Sequence, residues 1–328
     1  MSALSPTIAT PRPRTHRRPT GKLVKINDRA LDIFDRLDRN VLLPTNYLHA
    51  FLGGNLTNLS NRLGDLYHEN NTPPYFGWYL ERPEGQWRTM NARYVPATHT
   101  NLPLAERALR DNGRPVRQKA NFSNSFFHDL MACILGAAFE LSARADPAVT
   151  HLSWEDIRDH ERTPAKTREL PSPFNIPLRG RDLRPDDRPF GYRYTRPDGK
   201  TRSILFAGIE ADRRTEPLTA AKLRHSSMAQ KFEDYREFID RGVYMTHFGF
   251  PFTPLVPIVT VSEARMRNMM MLLSDICGRA TTKYFLFRAI PEFASFEHAI
   301  PITDDFLTAP WQRAQHDPVT LLEVLTRQ

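Results

Sequence analysis

Between residues 184 and 235 the chain gathers groups suited to phosphodiester chemistry. Arg184-Pro185-Asp186-Asp187 leads into the apolar run Phe190–Tyr194. A turn at Pro197-Asp198-Gly199 follows, then Ser203–Ile209, which ends in Glu210-Ala211-Asp212. Centring a hairpin on Asp198 sets Asp186 opposite Glu210, and strand alternation puts Asp212 on the face of Glu210. A one-residue slip would bring in Asp187 instead of Asp186. Carboxylates clustered this way repel one another unless something compensates. Mg2+ is the usual hard cation, held by one or two carboxylates plus water. Asp186 and Glu210 are the candidate metal ligands, and a metal so held activates water for hydrolysis. The competing reading pairs the three acids with Arg184, Arg188, Arg193, Arg213 and Arg214 as a solvated ion network. Lys231 and Tyr235 are four apart on one helix face. Their plainest reading is a surface lysine over a packed tyrosine.

These groups need elements to hold them. Ser125 can cap a helix over Phe126–Arg144, with Phe127, Leu130, Ile134, Ala137 and Leu141 as its inner stripe. Val149–Ile157 reads as a strand and residues 159–184 as a long Pro-rich loop. The hairpin comes next, then a helix over Leu218–Arg241 that carries Lys231 and Tyr235. Leu255–Val261 is β-branched, as a buried strand should be. Ser262 caps a helix from Glu263 to about Cys277, whose methionines read as core rather than cofactor contacts. Lys283–Ile290 is a last strand. His128, at the helix start, reads as a locally hydrogen-bonded polar residue.

Upstream lies a small helical module. Asn27 or Asp28 can cap a helix with Leu31, Phe34, Leu37 and Val41 at helical spacing. Thr45 caps a short second helix through Leu52, and Gly53-Gly54 turns. A third helix follows, with Leu56, Leu59, Leu63 and Leu66 inward and Asn58, Asn61 and Arg62 outward. That is a helix-turn-helix pattern. Tyr75–Leu80 and Trp87–Val95 read as strands joined at Pro83-Glu84-Gly85, which makes a winged helix. Asn58, Asn61 and Arg62 would then reach bases or phosphates in the major groove. Arg82, Arg88 and Arg93 would touch backbone from the wing. A small helical domain that docks protein is the alternative. Leu102–Leu109 adds a helix.

The chain has 328 residues, enough for about two domains at roughly 150 residues each. Its net charge is +8, and residues 1–27 supply six cations and no acid: Arg12, Arg14, Arg17, Arg18, Lys22 and Lys25. Such a basic, Pro-rich tail reads as disordered and suited to phosphates, or else merely solubilising. Two cysteines exclude a disulfide framework and a four-cysteine zinc site, and fit the cytoplasm. The longest apolar runs, such as Met131–Phe139, fall short of the roughly 20 residues of a membrane span. A P-loop and a Gly-x-Ser-x-Gly elbow are both missing, which argues against nucleotide hydrolysis and serine-esterase chemistry.

The order helix, three strands, helix, strand, with Pro185-Asp186 before one strand and Glu210 ending the next, resembles the PD-(D/E)xK nuclease superfamily. Joined to a winged helix, it resembles the replication-relaxation family of plasmids and mobile elements. The likeness rests on the Ile26–Leu66 helices, His128-Asp129-Leu130, Pro185-Asp186, Phe206–Arg214, Lys231-x-x-x-Tyr235 and Pro257–Arg265. The implied fold is α/β (α+β): a basic tail at 1–25, a winged helix at 26–112, a linker at 113–122, a nuclease-like domain at 123–300 and an extension at 301–328. The superfamily places lysine two residues after the glutamate, where this chain has Asp212. In some relatives the lysine moves to the next helix, a role open to Lys231. The resemblance implies a double-stranded-DNA-binding protein of a mobile element, acting in replication or relaxation. The alternatives are an active Mg2+-dependent endonuclease, with Asp186 and Glu210 on the metal, Asp212 assisting and Lys231 orienting water, and a docking protein for a relaxase or replication initiator.

Overall fold

The computed structural model describes residues 16–70, 75–83, 98–117, 125–214, 217–218, 227–296 and 300–327. The chain is mixed α/β and falls into two compact units that part near residue 117.

In the first unit α1 (Asp28–Asn40) is capped by Asn27, whose side chain accepts from the Ala30 amide at 3.1 Å. The short β1 (Leu43–Pro44) leads into α2 (Thr45–Leu52), and Asn55 caps α3 (Leu56–His68). Gly53 and Gly54 turn between these two helices at φ +62° and +82°, a region that favours glycine. β2 (Leu80–Glu81), β3 (Thr98–Asn101) and α4 (Pro103–Asp111) complete the unit, and the strands lie in the order β1-β3-β2. Leu31, Phe34, Leu37, Leu59, Leu63 and Leu66 are buried, as their spacing predicts. Leu56 is not. It is 48% exposed, at the first position of α3. Within Tyr75–Leu80 only Leu80 lies in a strand. The strand expected at Trp87–Val95 lies outside the described residues.

Residues 16–27 are ordered against α3, where composition suggests a disordered tail reaching residue 25. Arg17 donates to the carbonyls of Tyr67 (3.1 Å) and Leu80 (2.8 Å) and pairs with Glu81 at 2.9 Å. Its guanidinium also lies over the Tyr67 and Trp78 rings. Thr20 bonds Glu69 through both its amide and its hydroxyl, and Lys22 pairs with Asp65. The acids of α3 and its C-terminal end hold this basic segment in place.

The second unit opens with α5 (Phe126–Arg144), which coincides with the expected helix. By length and composition α5 would suit a membrane, although the apolar run Met131–Phe139 alone falls short. Here 78% of its apolar window is buried inside the protein. β4 (Val149–Leu152) is shorter than expected, because a Ser153–Asp156 capping box turns the chain into α6 (Trp154–Arg158). The expected long loop contains α7 (Ala165–Arg168) and the paired β5 (Ile176–Pro177) and β6 (Asp182–Leu183). β7 (Phe190–Thr195) and β8 (Thr201–Phe206) pair in the register of a hairpin centred on Asp198, from Phe190↔Phe206 to Thr195↔Thr201.

After β8 the chain kinks at Gly208 and resumes as β9 (Glu210–Asp212). α8 (Met228–Asp240), α9 (Val243–Phe248), β10 (Val256–Thr260), α10 (Glu263–Ile276), α11 (Arg279–Thr282) and β11 (Phe285–Ala289) follow. β10 runs parallel to β9 and to β11. Leu255 bonds Leu205 and Ala207, so β8 and β9 act as one interrupted strand beside β10. Residues 301–328 are no appendage. β12 (Trp311–Arg313) pairs with β11, β13 (His316–Val319) pairs with β12, and α12 (Leu321–Thr326) follows. Trp311 is fully buried and stacks on Phe139 of α5.

Strand alternation divides the core between the two sheet faces. Phe139 meets Phe190, Tyr192 and Phe206 on the α5 face. Leu205, Ile258 and Phe287 meet Phe232, Met266 and Met269 of α8 and α10 on the other.

Gly208 has φ +141°, and a Cβ there would lie 2.5 Å from Pro185 Cβ and 2.7 Å from the Asp187 carbonyl oxygen. Glycine thus lets the Pro185–Asp187 segment lie against the strand. Gly208→Ala is expected to destabilise the protein by about 2 kcal/mol through overpacking and backbone strain. Urea unfolding checks this, and a change within about 0.5 kcal/mol, the ordinary surface-substitution range, would show that the close approach is relaxed.

Candidate functional site

Three elements bring the site together where the strand kinks. The loop before β7 supplies Asp186, β9 supplies Glu210, and α8 supplies Lys231 and Tyr235 one turn apart. The Asp186 amide bonds the Ile209 carbonyl at 3.1 Å, and Asp186 Oδ2 accepts from the Ala211 amide at 2.8 Å. The acid is therefore held by the backbone on both sides of Glu210.

Lys231 Nζ donates to Glu210 Oε2 at 2.7 Å and to Asp186 Oδ1 at 3.4 Å. The Tyr235 hydroxyl donates to Glu210 Oε1 at 2.6 Å. His128, in the first turn of α5, places Nε2 3.3 Å from Asp186 Oδ2 and Nδ1 3.5 Å from Asp129 Oδ1. His128 therefore does more than bond locally. Neither the lysine nor the tyrosine is a bystander, although Tyr235 is fully buried.

The charges are strongly coupled. Burial and the neighbouring Asp186 charge push Glu210 up to about 8, against the pull of Lys231 and Tyr235. Burial also opposes charge on Asp186, but Lys231, His128 and the Ala211 amide hold its carboxyl below the usual range. Burial disfavours the His128 cation, yet its hydrogen bonds to Asp129 and Asp186 and the Asp186 charge raise it to about 10.

Asp212 stands apart from this group. Arg265 of α10 grips it with two bonds, Nε to Oδ2 at 3.0 Å and Nη2 to Oδ1 at 2.9 Å, and Thr260 adds a third at 2.7 Å. The expected assistance of Asp212 at a metal is thus replaced by a buried ion pair. Nor do the five arginines of the alternative ion network neutralise the acids. Arg184 pairs with Asp182, and Arg188 reaches Glu155 and Asp187. Among the described residues, the cations that reach the three acids are Lys231, His128 and Arg265.

Mg2+ needs only one or two carboxylates plus water, so Asp186 and Glu210 fit it chemically. An ion there would compete with the Lys231 ammonium for the same oxygens. Among the described residues no three His, Cys, Asp or Glu side chains form a metal-binding group.

In the first unit Asn58 and Asn61 are exposed on α3. Arg62, expected on DNA, instead donates to the Lys25 carbonyl and to Asn27 Oδ1 (3.3 Å), because residues 25–27 run along its helix. Arg17 is likewise committed to internal contacts. Arg18 is exposed, with its amide on His68 Nδ1. Arg12, Arg14, Arg88 and Arg93 lie outside the described residues.

No family model, curated protein or solved structure matches the chain.

Two outcomes are expected from this geometry. Removing one partner of a buried ion pair costs roughly 3–5 kcal/mol. Arg265→Ala should lose about that much in urea unfolding, and adding Asp212→Asn should recover a large part. Independent, additive losses would mean that the pair is not coupled.

The second outcome concerns pH. The folded pKa of Glu210 lies above its ordinary 4.5, so between 4.5 and about 8 the folded state holds a proton that the unfolded chain has released. The contribution of Glu210 to stability is therefore expected to fall as pH rises through that window. His128 acts in the same direction from 6.5 to about 10. Glu210→Gln should flatten the lower part of the decline and His128→Asn the upper part. Parallel stability profiles for wild type and Glu210→Gln would contradict the assignment.

Proposed function

We propose that the chain is a DNA-binding protein of a plasmid or other mobile element, acting in replication or relaxation and mobilisation. The first unit serves as a winged helix, and the second as a PD-(D/E)xK-like domain that holds DNA without cutting it. The order α1-β1-α2-α3-β2-β3, with the strands arranged β1-β3-β2, suits a winged helix. α3 would enter the major groove and present Asn58 and Asn61. In the second unit, setting aside the short elements α6, α7, β5, β6 and α9, the order α5-β4-β7-β8/β9-α8-β10 suits the nuclease superfamily, with Asp186 before the second of these strands and Glu210 near the end of the third.

The observation that carries the reading is that every oxygen of this acid pair already has a donor from the chain. Lys231 and Tyr235 take the two oxygens of Glu210. Lys231, Ala211 and His128 take those of Asp186. A centre so satisfied needs no metal to be stable.

One observation favours a second reading, an active Mg2+-dependent endonuclease. Lys231 reaches both acids from the following helix, where some relatives carry their catalytic lysine. In that case Asp186 and Glu210 would hold the ion and Lys231 would orient the attacking water. Bound Mg2+ supplies an activated water and charge stabilisation at the phosphate.

The test is incubation of the full chain with supercoiled and linear DNA in Mg2+, Mn2+ or EDTA, beside Glu210→Ala. A gel shift without cleavage is expected. Metal-dependent cleavage that Glu210→Ala abolishes would replace this reading with the endonuclease. Neither a shift nor cleavage would favour a docking protein for a relaxase or replication initiator.

Asn58→Ala and Asn61→Ala should narrow the gap between specific and random DNA. Asparagine pairs with adenine through two bonds, worth roughly 1–3 kcal/mol of discrimination. Equal losses on both DNAs, measured by competition binding, would remove α3 from base reading.

A further inference from the structure

Several arginines of the second unit sit on acids. Arg265 sits on Asp212, Arg181 on Asp234 and Arg288 on Asp305. Arg213 is held by rings and a carbonyl instead. Its guanidinium lies 5.2 Å from the ring centres of both Phe127 and Phe296, and Nε donates to the Phe293 carbonyl at 3.3 Å. Among the described residues it has no carboxylate partner, and its remaining N–H groups have no acceptor. Burial alone lowers its pKa. Two stacked rings and one carbonyl fix the plane of a cation and leave most of its five donors unused.

Arg214 follows with φ +64°, a left-handed conformation uncommon for a residue with a side chain. It is exposed and also has no ion-pair partner among the described residues. Such strain persists where the surroundings impose it, and it clusters at ligand sites.

Both residues lie directly beyond β9, three and four positions after Glu210. Phe127, beneath Arg213, is the neighbour of His128, which touches Asp186. The arginine pair therefore sits on the same edge of the sheet as the acid pair.

We propose that Arg213 and Arg214 bind a backbone phosphate of the DNA strand that the second unit holds. The planar guanidinium matches the two free oxygens of a phosphodiester. A preset cation with no carboxylate partner among the described residues, beside satisfied acids, gives the domain its grip on a polyanion. The inference rests on the DNA-binding reading and adds the residues through which the second unit engages the strand.

The test is fluorescence anisotropy of a labelled DNA duplex with the full chain across a salt series. Wild type is compared with Arg213→Gln and Arg214→Ala, and then on duplexes carrying a single neutral methylphosphonate at each position in turn. Each variant should bind about tenfold more weakly, the scale of one charged hydrogen bond. The salt slope should fall by about 0.9 for each phosphate that is no longer neutralised. One methylphosphonate should weaken wild type, and weaken Arg214→Ala by less, because only Arg213 is then left on that phosphate. Arg213→Gln also disturbs the Phe127–Phe296 packing, so the exposed Arg214→Ala decides. Wild-type binding with an unchanged slope and an unchanged methylphosphonate profile in Arg214→Ala overturns the inference and leaves the DNA-binding reading intact. Failure of wild type to bind DNA overturns both.

Discussion

Asp186 and Glu210 are two carboxylates forced together inside a protein, and the ammonium of Lys231 lies between them. Much of the second unit can be read as the means of holding that ammonium there. Unscreened by water, the acids would drive each other apart or take up a proton. Lys231 bonds both, Tyr235 caps the free oxygen of Glu210, and His128 covers Asp186 from the opposite helix. One carboxyl is driven up and the other down, so the pair divides its charge unequally.

That constraint reaches into the fold. Lys231 and Tyr235 must come from α8 on one face of the sheet, and His128 from α5 on the other. The acids sit at the strand break between those layers. Gly208 makes the break and lets Pro185–Asp187 lie against it. Asp212, two residues past Glu210, would add a third negative charge to the same strand. Arg265 neutralises it with a two-bond grip. Arg213 and Arg214, at the same edge, pair with no acid among the described residues.

The parts legible in the sequence were those set by local chemistry. The Pro197-Asp198-Gly199 turn determines the β7–β8 register, and through it the approach of Asp186 to Glu210. Helical spacing placed Lys231 and Tyr235 on one face. Ser125 and the apolar run behind it marked the start of α5, although the Ser125 side chain makes no capping bond to the helix. The parts not legible depend on distant partners. Arg265 lies 53 residues from Asp212, and His128 meets Asp186 across the fold, with no spacing rule to join them. Residues 16–27 look disordered by composition, because composition does not show that Asp65, Glu69 and Glu81 wait on the other side. The Ser153–Asp156 capping box was readable as a helix start, but the apolar residues around it favoured a strand.

The most direct test of the central claim is the melting temperature of the full chain with and without Mn2+. A ligand bound only by the native state at a hundredfold excess over Kd would add about 2.7 kcal/mol. If Lys231 and His128 already neutralise the acid pair, divalent metal should leave the transition where it is. A metal-induced rise that Glu210→Gln abolishes would contradict this account.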